Sequence, residues 1–168
     1  MGYTHYFPRL RAISDAEWGA ITKDVRLLLG NLPAHSLSAG GYYSDAPLRL
    51  ALEEGEPEPP LVDDRYIIFN GTGGDDLGHE TFYIDRESAD EFGRNRPDIP
   101  FGFDFCKTAR KPYDLAVCAV LAVMHDRAPG GWRIGSDGDL SDWKPALDWA
   151  AKVLGRILAD PCRDRKSA

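Results

Sequence analysis

The sequence predicts an α+β fold, a mainly antiparallel sheet carrying three helices, and three observations predict it. Two amphipathic helical stretches, at 14–30 and 142–159, each follow a capping residue. Between them lies an unbroken apolar run, Leu115 to Met124, apolar on every side as a deeply buried helix must be. Two β-rich segments, Arg65–Asn70 and Glu80–Asp85, flank a glycine-rich loop and read as an extended hairpin.

Taken in order, Gly2 to Arg9 reads as a strand, because Tyr3, His5 and Phe7 alternate with Thr4, Tyr6 and Pro8. His5 there reads as a core-edge histidine, since no paired ligand motif accompanies it. Ser14 and Glu17 form a capping box for the first helix, and Trp18, Ile21, Val25 and Leu28 trace its apolar stripe. Gly30 ends it, at a place where positive φ is often wanted. Ser36–Tyr43 is a candidate strand bent at Gly40 and Gly41, and Leu48, Leu50 and Leu52 alternate as a half-buried strand does. Glu53–Asp64 carries six carboxylates, three prolines and no cation, so it reads as a solvated loop without strand or helix.

After the hairpin, Ser88–Phe92 offers a short helical turn, and Phe101–Phe105 alternates as a strand. The central helix is expected at about 112–126. Pro112 suits its first turn, Asp114 places a negative charge among its free N–H groups, and alanines at 116, 119 and 122 favour it. Trp132–Ile134 reads as a short strand and Ser136-Asp137-Gly138 as a tight turn. Ser141 is the expected cap of the last helix, Asp142–Ala159, with Leu147, Ala150, Val153, Leu154, Ile157 and Leu158 inward. Residues 1–161 thus make a single domain and 162–168 a flexible charged tail.

Composition narrows the function classes. The chain of 168 residues has a net charge of −7, which argues against non-specific nucleic-acid binding. Its three cysteines, Cys106, Cys118 and Cys162, form neither a disulfide framework nor a CxxC zinc pattern, and fit a reduced, cytoplasmic setting. The opening MGYTHYFPRL lacks the charge-then-apolar order of a secretory signal, and the central run is too short for a bilayer, so no membrane partner is expected.

Reactive and cationic side chains gather where strand meets central helix. Lys107, Arg110 and Lys111 precede a helix N-terminus, the wrong sign for its dipole, and local rules broken in this way mark functional sites. With the Thr108 hydroxyl and free backbone N–H groups they would hold a phosphate or carboxylate; the other reading is that they are solvated or paired with acidic residues. Cys106 beside these cations would have a lowered pKa, and His79, His125 or His5 could serve as its base; as a buried thiol it would simply pack. His79, Glu80 and Asp114 complete the candidate catalytic set, while Tyr113, Ser136 and Asp137 are further candidate ligand contacts. The 71–78 loop fails the dinucleotide fingerprint, because Asp76 stands where the third glycine belongs. Asp75, Asp76, His79 and Glu80 offer too few oxygens at defined spacing for a hard cation, so no metal site is expected, and no cofactor is named.

The strings GYTHYF (2–7), FNG (69–71), GHETF (78–82), FCKTARKPYD (105–114) and SDG (136–138) occur in an order that resembles a family of uncharacterised bacterial and phage-encoded proteins. That resemblance covers most of the chain and implies a single domain with interest centred on Lys107, Arg110, Lys111 and Asp114; it implies no reaction. The expected function is a small intracellular domain binding a phosphate-bearing or other anionic ligand, such as a nucleotide, at a basic helix N-terminus. The alternative is a non-enzymatic protein-interaction module, a phage-type inhibitor of host defence, acting through its acidic surface.

Overall fold

The computed structural model describes residues 2–36, 45–74, 76–87 and 101–162. In chain order these residues form β1 (Thr4–Tyr6), α1 (Asp15–Leu29), β2 (Leu50–Ala51), β3 (Leu61–Val62) and β4 (Tyr66–Gly71). Then follow β5 (Phe82–Asp85), β6 (Phe105–Lys107), α2 (Asp114–Arg127), β7 (Gly135–Ser136) and α3 (Leu140–Leu154). The fold is α+β with antiparallel pairing throughout these strands. The strands form two sheets rather than one: β6-β1-β7, and β2-β4-β3 with β5 also on β4. Among the described residues they are joined by one backbone hydrogen bond outside the ladders, Glu80 N–H to the Lys107 carbonyl at 3.3 Å.

The helices follow from their caps. Ser14 Oγ accepts from Glu17 N–H at 3.2 Å and Glu17 reaches back to Ser14 N–H at 3.0 Å, so the α1 capping box forms as expected. Trp18, Ile21, Val25 and Leu28 are buried along its stripe. Gly30 sits at φ −78°, so the helix closes without the left-handed turn expected there. In α2 every residue from Leu115 to Met124 is buried, against α1, α3 and the inner face of the β1 sheet.

α3 departs furthest from expectation. Asp139, not Ser141, is the cap: its carboxylate accepts from Ser141 N–H at 2.8 Å, and Asp142 reaches back to Asp139 N–H at 3.0 Å. Gly155, left-handed at φ 72°, stops the helix well before Ala159. The buried face is Trp143, Ala146, Trp149 and Ala150, while Ile157, placed inward by the longer helix, is 90% exposed.

Smaller corrections follow from single pairings. The acidic stretch is not strandless, because Leu61 and Val62 at its end pair with Ile68 and Ile67. The strand expected at 101–105 lies at 105–107, and that at 132–134 reduces to a bridge at Trp132 before β7. The strand expected at 36–43 and the turn at 88–92 fall almost wholly outside the described residues, as does the tail. Among the described residues no helix is long and apolar enough to cross a membrane.

Candidate functional site

Strand alternation and helical periodicity build the site together. His5 in β1 points inward, as do Tyr3 just before the strand and Phe7 just beyond it, and all three are buried. His5 pairs in register with Cys106 on one side and Ser136 on the other, at the centre of its sheet. Asp114 and Cys118 stand four residues apart on α2, one above the other on the face that meets His5. His5 Nε2 lies 2.7 Å from Asp114 Oδ1, and Cys118 Sγ lies 3.7 Å from both His5 Nε2 and Asp114 Oδ2. The Thr108 hydroxyl donates to Asp114 Oδ1 at 2.6 Å and fixes the carboxylate from behind.

This arrangement is not a nucleophile relay. Such a relay needs the thiol and the carboxylate on opposite ring nitrogens, so that one imidazole edge takes the proton while the other is held. Here both face Nε2. Burial, and then the neighbouring Asp114, raise the Cys118 thiol well above its ordinary pKa. The three donor atoms, all within 4.8 Å of one another, instead have the composition of a metal chelate.

Around the imidazole the polar groups are unusually under-partnered. His5 Nδ1 and the Trp143 indole N–H are buried without a hydrogen-bond partner, and the Tyr3 hydroxyl, approached by Ser136, makes no hydrogen bond of ordinary geometry. Tyr3 and Trp143 both stand edge-on to the His5 ring, with centroids 5.1 and 5.2 Å away. Burial, followed by the charge of Asp114, raises the Tyr3 pKa far above its usual value, so the hydroxyl keeps its proton. Gly138 is required beside it, because a Cβ there would collide with the Tyr3 oxygen.

The turn into α2 carries the expected cations, but it does not bring them together. Ala109 and Arg110 are both left-handed, at φ 50° and 58°, and together they throw Arg110 back over the Tyr3 ring, 4.0 Å from its centroid. Arg110 pairs there with Asp142. Lys111, 6% exposed, turns the other way, to the Asp76 carboxylate and, at 2.8 Å, the Asp76 carbonyl. The Lys107 side chain runs along Gly2. The single three-cation anion pocket is therefore not formed: carboxylates hold two of its members on opposite sides of the turn.

The remaining candidates separate in the same way. Cys106 is fully buried, and burial pushes its thiol up to about 12, the reverse of the thiolate expected beside cations. Its Sγ contacts the Glu80 carbonyl at 3.4 Å, while His79 is exposed to solvent. The Glu80 carboxylate accepts the Lys107 backbone N–H at 2.7 Å, and the Tyr113 hydroxyl donates to the Glu80 carbonyl at 2.6 Å. His79, Glu80, Glu54, Asp76 and Gly78 line an open hollow of about 360 Å³ on this flank. Ser136 and Asp137 do join the His5 side: Ser136 pairs with His5 in register, and Asp137 accepts from Thr4 N–H at 3.0 Å and Tyr6 O–H at 3.3 Å.

Sequence reading thus finds Asp114, Thr108 and Arg110, names His5 only as a possible base for Cys106, and misses Cys118, Tyr3, Trp143 and Asp142. The usable signal is the i, i+4 pair Asp114 and Cys118 in an otherwise apolar helix, opposite the lone histidine of an inward-facing strand. Of the five strings, 2–7 pairs with 105–107 and carries 136–138 on its far edge, while 69–71 and 78–82 touch the 105–114 segment on the other flank. Compared with protein-family models, curated proteins and solved structures, the chain matches none.

Proposed function

We propose that this protein is a metal-binding domain that takes a zinc-class divalent cation at His5 Nε2, the Asp114 carboxylate and Cys118 Sγ. The observation that carries the reading is the mutual approach of these three atoms within 4.8 Å, from two elements, at a buried point. Bond lengths of about 2.0–2.3 Å at tetrahedral angles require ligand atoms roughly 3.3–3.7 Å apart. Both sulfur separations are already 3.7 Å, and the 2.7 Å His5–Asp114 separation has to open by roughly 0.6 Å as the ion replaces the hydrogen bond between them. A mixed nitrogen, oxygen and sulfur set selects a borderline-soft ion over magnesium or calcium. Thr108 would orient the ligating carboxylate from outside, as supporting hydrogen bonds do in metal centres. Three protein ligands leave a fourth position for an exogenous group.

Zinc bound only by the folded state raises apparent stability, by about 2.7 kcal/mol at a hundredfold excess over Kd. For a chain of this length that is a rise in Tm on the order of 5–10 °C. Thermal melts of chelator-treated protein with and without zinc should show that rise, and Cys118→Ser should lose most of it. Cobalt should bind at one equivalent with an intense near-ultraviolet thiolate band, absent in Cys118→Ser. A wild-type protein that takes up neither ion and melts unchanged refutes the reading.

A further inference from the structure

We infer that the fourth position is the binding place of an oxyanion, a carboxylate or a phosphate, gripped by Arg110 and the Tyr3 hydroxyl. The inference rests on the metal reading and names what that site recognises. Its first support is the Tyr3 hydroxyl, only 4% exposed on a ring edge-on to His5, which makes no hydrogen bond of ordinary geometry although the Ser136 hydroxyl lies close enough to interact with it. A buried donor left unpaired is a standing cost unless something completes it. The Trp143 indole N–H, buried and unpartnered on a second ring edge-on to the same imidazole, repeats the pattern. Unused donors call for a ligand that accepts.

The second support is Arg110. Two consecutive non-glycine residues held left-handed, Ala109 and Arg110, are unfavourable backbone spent on one side-chain position. The result is a guanidinium stacked on Tyr3, its side chain 56% exposed, with Asp142 as its partner. Asp142 already has a second task, accepting the Asp139 N–H in the α3 capping box at 3.0 Å. It therefore keeps a partner when Arg110 turns to an incoming oxyanion, and a planar guanidinium suits bidentate capture.

Charge makes the two inferences depend on each other. Without an ion, Asp114 and Asp142 give this pocket a negative cast that repels an anion. A divalent cation offsets the Asp114 carboxylate and the Cys118 thiolate, leaving Arg110 to draw an anion in. Oxyanion binding should accordingly require the loaded site.

Cobalt-loaded protein tests this, with inorganic phosphate and acetate as separate probes of the two sources. The expected result is a saturable change in the visible d–d bands with either probe or with one of them, the stronger one identifying the source. Arg110→Gln should weaken that response about tenfold or more while cobalt uptake and the thiolate band stay unchanged. Tyr3→Phe separates recognition from support: it should weaken the response yet change the stability of the metal-free protein little, since the hydroxyl makes no hydrogen bond of ordinary geometry. If cobalt loads but neither anion perturbs it, or Arg110→Gln responds like wild type, the oxyanion inference falls and the metal reading stands. If cobalt does not load, both fall. A loss of stability in Tyr3→Phe with an unchanged anion response would make Tyr3 structural and remove it from the site.

Discussion

The two flanks of the 107–111 turn are both polar, and they are polar in opposite ways. On the hairpin flank each group finds its complement within the chain. Asn70 alone makes four hydrogen bonds, to Gly71 N–H, His79 N–H, the His79 carbonyl and the Thr81 hydroxyl. Lys111 is matched by Asp76 and Glu80 by the Lys107 backbone. On the β1 flank the donors His5, Asp114 and Cys118 crowd one another, and two buried polar atoms beside them have no partner. A self-satisfied network fixes geometry, whereas a crowded one with unused donors is arranged for something else. On that argument the buried, incomplete constellation is a better candidate site than the acid residues of the open hollow.

The largest effect that could break this comparison comes from Asn70→Ala. Asn70 is 2% exposed, and its loss strands two backbone N–H groups in the interior. Urea denaturation should show a cost of about 2–4 kcal/mol. Zinc uptake by the surviving folded protein should be unchanged, because Asn70 acts on the hairpin loop. A variant that keeps its stability and loses the metal would reverse the roles assigned to the two flanks.

How far the sequence foretells this follows from the range of each signal. Local patterns carry: the Ser14–Glu17 box, the apolar run of α2 and the 66–85 hairpin are all written within a few residues of where they act. The Asp139 cap and Gly155 stop were equally local, and were outweighed by an apolar pattern that runs past the helix to Leu158. The site is another matter. His5 meets Asp114 across 109 positions, and Lys111 meets Asp76 across 35. Composition places Arg110 and Lys111 side by side, yet the left-handed pair at 109–110 sends them to opposite flanks, and nothing in two alanine-like or cationic residues announces that geometry. A cluster of like charges in sequence is not one in space.

A third region, where the three helices meet, calibrates the electrostatics. Asp24 on α1 receives Arg127 at 2.7 Å and Arg156 on its other side, and is itself nearly buried. Burial raises its pKa, but the two guanidinium groups outweigh burial and the net shift is downward. A carboxyl whose folded pKa lies below its unfolded value stabilises above that unfolded value, near pH 4, and loses the contribution as pH falls through the folded one. Chemical denaturation of metal-free protein should therefore weaken below about pH 4, and Asp24→Asn should flatten that limb. At neutral pH the same substitution should cost about 1–3 kcal/mol. An unchanged acid limb in Asp24→Asn would move the dependence to other carboxylates.

The smallest effect is the most discriminating for the turn itself. Lys107 stands beside Thr4 in the β1–β6 register, and β alternation puts it on the sheet face opposite Cys106 and His5. It is half-buried, its side chain running beside Gly2, and among the described residues it makes no ion pair. Lys107→Gln keeps that stem and removes only the charge, so stability should move by less than about 0.5 kcal/mol. If recognition runs through Arg110 alone, cobalt-loaded Lys107→Gln should answer phosphate as wild type does. An equal loss in Lys107→Gln and Arg110→Gln would mean that charge is summed across the turn, and that the anion approaches from the open face of the sheet rather than past Tyr3. Because Lys107 stands on the sheet face opposite His5 while Arg110 lies over the Tyr3 ring, no single bound anion can satisfy both outcomes.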